Sequence, residues 1–395
     1  MVVFGIVCEY NPIHAGHVHH ITKTKHVLGG DCGVVCVMNG NFVQRGDIAA
    51  FEKYARAEAA VLSGADLVIE LPSVYALSSA ERFALGGATL LESMGVVDYI
   101  SFGSESGDIN ELREIADAAS SKEVSAGIVE ELRKGVSYAA ARQNAVFKAV
   151  GGKADILKEP NNILAIEYLK ALKTLNSKMK PVTVQRSGAG HDSDEGASAA
   201  AIRSLFKCGG QPWENIPEKA AAVFKREMEQ GRGPVFLEDI EAAILSRLRI
   251  MPDADFENIP DAAEGLGNRL ARYARTEASI AGILEKTKTK RYALSRIRRM
   301  LLCAALGITA DDAKNPPPYI KVLAMNETGR AIMRKVSKQA ELPCISKSAA
   351  AKKLENKAKD CFLKEASFTD LYVLAFKNAE NRSGGAEWRS SPILL

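Results

Sequence analysis

The sequence predicts an α/β protein in which an N-terminal parallel sheet is followed by an α-rich C-terminal half. Short apolar runs alternate with helical stretches in the first hundred residues, which is typical of strand–helix–strand units. These runs are almost continuously apolar, which indicates strands buried on both faces. From about residue 197 onward the pattern is overwhelmingly helical. We therefore predict two domains, residues 1–195 and residues 196–395.

The elements follow in order along the chain. Apolar runs predict strands at residues 2–7, 33–38, 67–71 and 97–102, and the segments between them predict helices at residues 17–28, 51–63 and 78–94. Residues 109–150 are mostly helical, residues 161–172 form a helix, and the β-branched residues 181–186 predict a late strand of the same sheet. The small, polar residues 187–196 predict a mobile loop. Helices follow at residues 199–206, 217–229, 236–250, 262–277, 279–287 and 295–306, before a strand-like run at residues 319–324.

Composition excludes several classes of protein. The chain of 395 residues is 47% hydrophobic and 25% charged, which is typical of a soluble globular protein. No apolar run reaches the roughly 18 residues that a membrane span needs, and the N-terminus lacks the features of a signal peptide. The net charge of +4 is too weak to indicate nucleic-acid binding by itself. Seven cysteines without a CxxC pair predict reduced thiols in the cytoplasm, and we predict no metal site.

The histidines are concentrated at the N-terminus. Five of the six lie in the first 26 residues, and the segment EYNPIHAGH directly follows the first predicted strand and opens the first helix. A helix N-terminus attracts anions, and Gly16 allows a polyphosphate to approach the backbone. Imidazoles beside an α-phosphate can stabilise the charge that builds while pyrophosphate is displaced, so His14 and His17 are candidate catalytic residues. We expect both rings to face solvent. A metal-binding pair or solvated surface histidines remain the alternative.

A second motif lies at the start of a later helix. Ser198 is placed as an N-cap and Arg203 lies just over one turn further on, so both are candidate contacts for the β- and γ-phosphates. An alanine-rich helix start with a solvated arginine is the alternative. Together with the HxGH segment, this arrangement resembles the HIGH-type nucleotidyltransferase superfamily.

Longer matches narrow this resemblance. GIVCEYNPIHAGHVHHI, MNGNFVQRGDIAAFEKYARAEAAVLSGADLVIELP, SSAERFALGG, ISFGSESGD, PNNILAIEYLKAL and QRSGAGHDS follow one another in the chain and resemble the bacterial tRNA(Met) cytidine acetate ligase family. The resemblance is dense over residues 2–205 and thinner beyond. It implies a Rossmann-like nucleotidyltransferase domain followed by a helical tRNA-binding domain. It also implies that ATP and acetate form acetyladenylate and that the acetyl group passes to N4 of the wobble cytidine in elongator tRNA(Met).

The resemblance also implies which residues bind ATP. The matching positions are Val7, Cys8, Glu9, Tyr10, Asn11, Pro12, Ile13, His14, Ala15, Gly16, His17, Val18, His19, His20, Gly103, Asn162 and Arg186. One position departs from the family pattern: Ala200 stands where the family more often has a hydroxyl, which leaves the role of the Ser198–Arg203 motif open. Mg²⁺ is expected to accompany ATP, although no residue of the sequence identifies its ligands.

The candidate RNA contacts lie in the helical half. Residues 286–299 (KTKTKRYALSRIRR) contain seven basic residues and no acid, and such a stripe can neutralise phosphates. The seven are Lys286, Lys288, Lys290, Arg291, Arg296, Arg298 and Arg299. A solvated basic face is the alternative. For acetate, the loop of residues 39–47 or Lys53 and Arg56 could supply donors.

Three functions therefore remain open. The ligase acting on tRNA is the leading hypothesis, because the long basic helical half is not needed by a small-molecule enzyme. The alternatives are a cofactor-type adenylyltransferase that moves AMP to a small phosphate acceptor, and an RNA-binding module that retains only the fold.

Overall fold

The computed structural model describes residues 1–186 and 198–395. Its strands are β1 (Val2–Cys8), β2 (Cys32–Asn39), β3 (Phe42–Val43), β4 (Asp47–Ile48), β5 (Leu67–Leu71), β6 (Tyr99–Ser104), β7 (Lys180–Gln185), β8 (Ile320–Met325), β9 (Cys344–Ile345) and β10 (Ile393–Leu394). The helices of the first half are α1 (Ala15–Val27), α2 (Lys53–Leu62), α3 (Ser73–Ala76), α4 (Ala80–Ser93), α5 (Ile109–Ala119), α6 (Lys122–Arg133), α7 (Tyr138–Val150) and α8 (Pro160–Thr174). Those of the second half are α9 (Ala199–Lys207), α10 (Glu218–Glu229), α11 (Glu241–Ile250), α12 (Leu266–Thr276), α13 (Ile280–Thr287), α14 (Leu294–Leu306), α15 (Glu327–Gln339), α16 (Asn356–Tyr372) and α17 (Ala386–Arg389).

One sheet organises the molecule, in the order β10–β8–β5–β2–β1–β6–β7, with β9 paired to β8. β1 pairs in parallel with β2 and β6, β2 with β5, and β6 with β7. Alternate residues of β2 point into different cores: Val35 and Val37 into one, Val34 and Cys36 into the other. Both faces of the sheet are therefore covered, which confirms the predicted α/β fold class.

The predicted parallel sheet needs one correction, because the C-terminal half contributes strands to it. β8 pairs antiparallel with β5, and β10 pairs with β8, so the sheet is mixed. These strands cover what would otherwise be the exposed edge of β5. The boundary proposed at residue 195 and the loop predicted at residues 187–196 lie outside the described residues, so the division into two domains stays a prediction.

The loops that follow the parallel strands meet at one edge of the sheet, as the strand order requires. Between β2 and α2, however, the chain forms the hairpin β3–β4 where a polar loop was predicted. This hairpin contacts the helical half, since a Cβ on Gly46 would lie 2.5 Å from the Cβ of Arg298 in α14. No helix in the described part of the chain is long and apolar enough to cross a membrane.

Candidate active site

His14 and His17 form a linked pair at the start of α1. His14 is the N-cap, and its Nδ1 accepts a hydrogen bond from the Gly16 amide at 3.1 Å. The His14 amide in turn donates to His17 Nδ1 at 3.2 Å. The two rings lie 3.8 Å apart between centroids. Because both Nδ1 atoms accept backbone N–H groups, the hydrogen of each neutral imidazole is on Nε2, where it can be donated to a ligand.

Burial keeps these imidazoles neutral. The side chain of His14 is buried, which together with the charge of Arg186 lowers its pKa from 6.5 to about 4. The pKa of His17 is also well below its usual value, first because of burial and then because of His14 and Arg186. The prediction that both rings face solvent is therefore wrong for His14. Neutral rings serve here as hydrogen-bond donors.

A cleft of about 290 Å³ opens beside this pair, between the start of α1 and the ends of β6 and β7. Its walls include six residues at the start of α1, together with Gly103, Val184, Gln185 and Arg186. At two of these positions glycine leaves room for a neighbouring side chain of the cleft. A Cβ at Gly16 would lie 2.9 Å from the His14 ring, and one at Gly103 would lie 3.3 Å from the Arg186 side chain.

The predicted ATP-binding stretch from Val7 to His20 divides into two parts. His14, Ala15, Gly16, His17, His19 and His20 line the cleft. Residues earlier in the stretch hold this segment against the rest of the protein. Asn11 Oδ1 accepts from the Ala50 amide at 2.8 Å, and Ile13 is fully buried. His20 Nε2 lies 2.9 Å from Ser101 Oγ, a contact that the sequence analysis missed. The sequence did contain an indication of this contact, because Ser101 is a polar residue inside a largely apolar strand.

Asn162 does not line this cleft. It is buried, its Oδ1 accepts from the Ser106 amide at 3.0 Å, and its Nδ2 donates to the Ile156 carbonyl at 3.2 Å. Glu105 in turn accepts from the Asn162 amide at 2.8 Å. In this structure Asn162 holds the loop after β6 in place, and its contact with ATP stays a prediction.

The second motif is connected to the first by Arg203. Its Nη1 donates to the Asn11 carbonyl at 2.7 Å and to the Ala199 carbonyl at 3.1 Å. Ser198 caps α9, as predicted, by accepting from the Ala201 amide at 3.1 Å. The helix start therefore lies against the histidine segment, although neither residue lines the cleft itself.

The comparisons with known proteins agree with this geometry. The model of the HIGH Nucleotidyl Transferase family matches residues 1–387. The tRNA(Met) cytidine acetate ligase of Caldanaerobacter subterraneus subsp. tengcongensis is 41% identical over 391 residues, covering 96% of each chain. That of Acetivibrio thermocellus is 35% identical over the whole of both chains. The chain belongs to the tRNA(Met) cytidine acetate ligase family.

Solved structures of this family have the same fold. The apo form of Thermotoga maritima TmcAL is 34% identical over 100% of both chains and superposes with a TM-score of 0.94. The form of the same protein bound with alpha-thio ATP has a TM-score of 0.92.

Lys53 and Arg56, which we considered for acetate, are not available to a ligand in this family member. Both are fully buried. Lys53 Nζ pairs with Glu70 at 2.7 Å and with Glu387 at 2.6 Å. Arg56 donates to the carbonyls of Phe51, Glu9, Asn39 and Gly40. Their expected role in acetate binding is wrong, because protein acceptors already occupy both cations.

The basic residues of the predicted RNA stripe divide into two groups. Lys286, Lys288 and Lys290 are exposed, and no carboxylate of the described chain pairs with them. Arg299 is only 8% exposed and pairs with Asp261 at 3.3 Å, while Arg296 donates to the Asp261 carbonyl at 2.7 Å.

The remaining two arginines are also constrained by the protein. Arg291 pairs with Glu264 at 2.7 Å, and Arg298 is half-buried behind Gly46. The predicted stripe is therefore not uniform, because Arg299 packs inward, and its contact with RNA stays a prediction.

The described residues contain no group of three or more histidine, cysteine or acidic side chains placed to hold a metal ion. Hydrogen-bond donors dominate the cleft instead: two neutral imidazoles, the backbone at the start of α1, and the Arg186 guanidinium. Such a set of groups is suited to binding a polyphosphate.

Proposed function

We propose that this protein is an ATP-dependent ligase that makes acetyladenylate and acetylates N4 of the wobble cytidine in elongator tRNA(Met), in the cytoplasm. The observation that carries the proposal is the pair of neutral imidazoles of His14 and His17, whose Nε2–H groups are available beside the cleft. Full-length similarity to ligases with this name supports it. The free state of all seven cysteines agrees with a reducing compartment.

The chemistry proceeds in two steps. A carboxylate oxygen of acetate attacks the α-phosphorus of ATP, and pyrophosphate leaves. Negative charge grows on the phosphoryl oxygens during this displacement, and His14 and His17 stabilise it by donating from Nε2. Arg186, at the end of β7, adds a positive charge to the same cleft. In the second step N4 of cytidine attacks the acetyl carbon, AMP leaves, and N4 gives up one proton.

The adenylyltransferase alternative shares the first half of this machinery. It differs in its acceptor, since a phosphate oxygen would attack in place of a carboxylate. The curated relatives are named as ligases, which favours acetate activation over that alternative. The module that only binds RNA is disfavoured because the histidines are arranged as hydrogen-bond donors beside the cleft.

Isotope exchange between ATP and pyrophosphate separates these functions. We expect exchange that depends on added acetate and needs no tRNA, because adenylation precedes transfer. Exchange that requires a small phosphate acceptor in place of acetate would indicate the adenylyltransferase, and no exchange with either acceptor would indicate an RNA-binding module. Transfer of labelled acetyl groups to tRNA(Met) transcripts, with and without the wobble cytidine, then tests the second step.

A further inference from the structure

A second cavity of about 580 Å³ lies between the hairpin β3–β4 and the helical half, about twice the volume of the histidine cleft. One wall is formed by Gly46, Asp47 and Arg203, and the opposite wall by α13, α14 and residues 236–238. Arg203 also donates to the Asn11 carbonyl, so the cavity shares a side chain with the ATP-binding segment. The cavity therefore lies next to the ATP-binding segment, and its lining includes Lys288 and Arg298 of the basic stripe.

The lining suits a nucleotide. Leu237, Ile280 and Leu284 make an apolar floor, and the half-buried ring of Phe236 offers a surface on which a base can stack. Four cations surround the space and can donate hydrogen bonds to phosphate oxygens: Arg203, Lys207, which also pairs with Glu238, Lys288 and Arg298. One of them, Lys207, lies 5.6 Å above the Phe236 ring centre.

One carboxylate in this lining is placed to recognise a base. The carboxylates of Glu238 and Glu241 already bind the Lys207 ammonium and the Ile280 amide, both at 2.7 Å. Asp47 uses Oδ1 for the Ile48 amide at 2.9 Å, and its Oδ2 has no hydrogen bond or ion pair from any described residue. A carboxylate oxygen of this kind accepts from the N4 amino group of cytosine and repels the O4 carbonyl of uracil.

Asp47 is also more shielded from water than the other unpaired acid of the cavity. Its side chain is half-buried, whereas Glu285 is exposed. Burial raises the pKa of Asp47, while the Ile48 amide and the nearby charges of Arg203 and Arg298 oppose that shift. A shielded acceptor discriminates between bases more strongly than a solvated one, since water competes less for it.

We propose that this cavity receives the wobble cytidine of the tRNA and that the Asp47 carboxylate accepts a hydrogen bond from its N4 amino group. Phe236 stacks against the base, and the surrounding cations bind the adjoining phosphates. Asp47 is then a specificity-determining residue that distinguishes cytidine from uridine. This inference rests on the proposed function, because it takes tRNA as the substrate.

Binding of anticodon stem-loop RNAs to the full chain at one salt concentration tests the proposal. Two RNAs are compared, one with cytidine and one with uridine at the wobble position. We expect the unaltered protein to bind the cytidine RNA about tenfold more tightly, which corresponds to one hydrogen bond to a charged group. Asp47→Asn should abolish or reverse this preference, since an amide can donate to uracil O4. Asparagine keeps the Oδ1 that accepts from Ile48, so the hairpin should be preserved.

Two further variants control the interpretation. Asp31→Asn makes the same chemical change at an exposed position before β2 and should retain the tenfold preference. Phe236→Leu should weaken the binding of both RNAs by a similar factor, because stacking on an aromatic ring does not depend on which base is present. An Asp47→Asn protein that keeps the preference, or an unaltered protein without one, would overturn the proposal. The failure of the proposed function gives a different result. In that case acetate-dependent pyrophosphate exchange would be absent, whereas the two RNA-binding results above would leave that exchange unchanged.

Discussion

The histidine cleft and the basic stripe of residues 286–299 were both identified by unusual composition, yet they differ in what their side chains contact. At His14 and His17 only Nδ1 is occupied, by the backbone of the same segment, and no described residue bonds to Nε2. In the stripe, three of the four arginines bind acceptors on residues 261–264. The comparison shows that contacts within one segment can orient a side chain toward a ligand, whereas contacts with a distant segment can occupy a side chain so that it is no longer available to a ligand.

The reason is the distance along the chain over which each arrangement is specified. The capping contacts of α1 join residues two or three positions apart, so the motif itself determines them. The contacts of Arg296 and Arg299 join residues 35 and 38 positions apart, and they depend on how α14 packs. A count of positive charges in the sequence contains no information about that packing.

The largest effect is expected at the histidines. His14→Asn and His17→Ala should each reduce acetate-dependent pyrophosphate exchange about 10²- to 10³-fold, because each removes a donor to the developing charge, at a cost of about 3–4 kcal/mol. Asparagine is a good N-cap, so His14→Asn should lose activity while keeping most of the thermal stability. This variant separates the catalytic role of residue 14 from its structural one.

His26→Ala is the matched control, since His26 is exposed on the same helix. It should leave exchange close to the unaltered rate. If His14→Asn retained full exchange activity at saturating ATP, the catalytic assignment of the imidazole would be wrong and only its capping role would remain.

A smaller effect is expected on stability as the pH falls. Unfolded His14 takes up a proton near pH 6.5, while burial lowers its pKa in the folded protein to about 4. Between these values the unfolded state binds more protons, so the free energy of unfolding decreases as the pH falls. From pH 7 to pH 5 the loss from His14 alone should be about 2 kcal/mol.

Urea unfolding at both pH values measures this loss. His14→Asn should reduce the difference between the two pH values, whereas substitution of Lys286, Lys288 and Lys290 should leave it unchanged. An unaltered pH dependence in His14→Asn would show that the buried imidazole is not its source.

The smallest effects should distinguish the two groups of basic residues. Replacing Lys286, Lys288 and Lys290 together by alanine should lower the salt dependence of tRNA binding by about one unit for each phosphate that these lysines neutralise. The melting temperature should stay nearly the same, because no carboxylate of the described chain pairs with these side chains. Arg299→Ala should instead destabilise the fold by about 1 kcal/mol, since it removes the buried partner of Asp261, whose own side chain is partly exposed.

Titrations with tRNA at several salt concentrations, together with thermal melts, check both expectations. A lysine triple variant with an unchanged salt dependence would remove these residues from the RNA interface. An Arg299→Ala protein with normal stability but weaker tRNA binding would restore Arg299 as a phosphate contact.

Much of the N-terminal half was predictable from the sequence. The predicted strand at residues 67–71 coincides with β5, and the other sheet strands of this half differ by one or two residues at their ends. Continuous apolar runs between polar loops leave few alternatives to buried parallel strands. The Ser198 cap was predictable for a similar reason, because a serine before an apolar helical pattern satisfies backbone amides within one turn.

The hairpin β3–β4 and the contacts of Asn162 were harder to predict from the sequence. Two-residue strands give almost no alternation to detect, and the residues between them looked like a polar loop. Asn162 matches a family motif, but its side chain joins the loop at Ser106 and the turn at Ile156. Sequence similarity locates such a residue without showing which of its neighbours it binds.

The sequence by itself determined the α/β class, the positions of the main strands along the chain, the histidine pair at the first helix and the family. These depend on short-range patterns of apolar, small and capping residues. Only the tertiary structure decided that β8 joins the sheet antiparallel to β5, that Lys53 and Arg56 are buried, and that Arg299 is paired. Each of these outcomes depends on contacts between segments far apart in the chain, which cover an open edge or neutralise a buried charge once the whole molecule has folded.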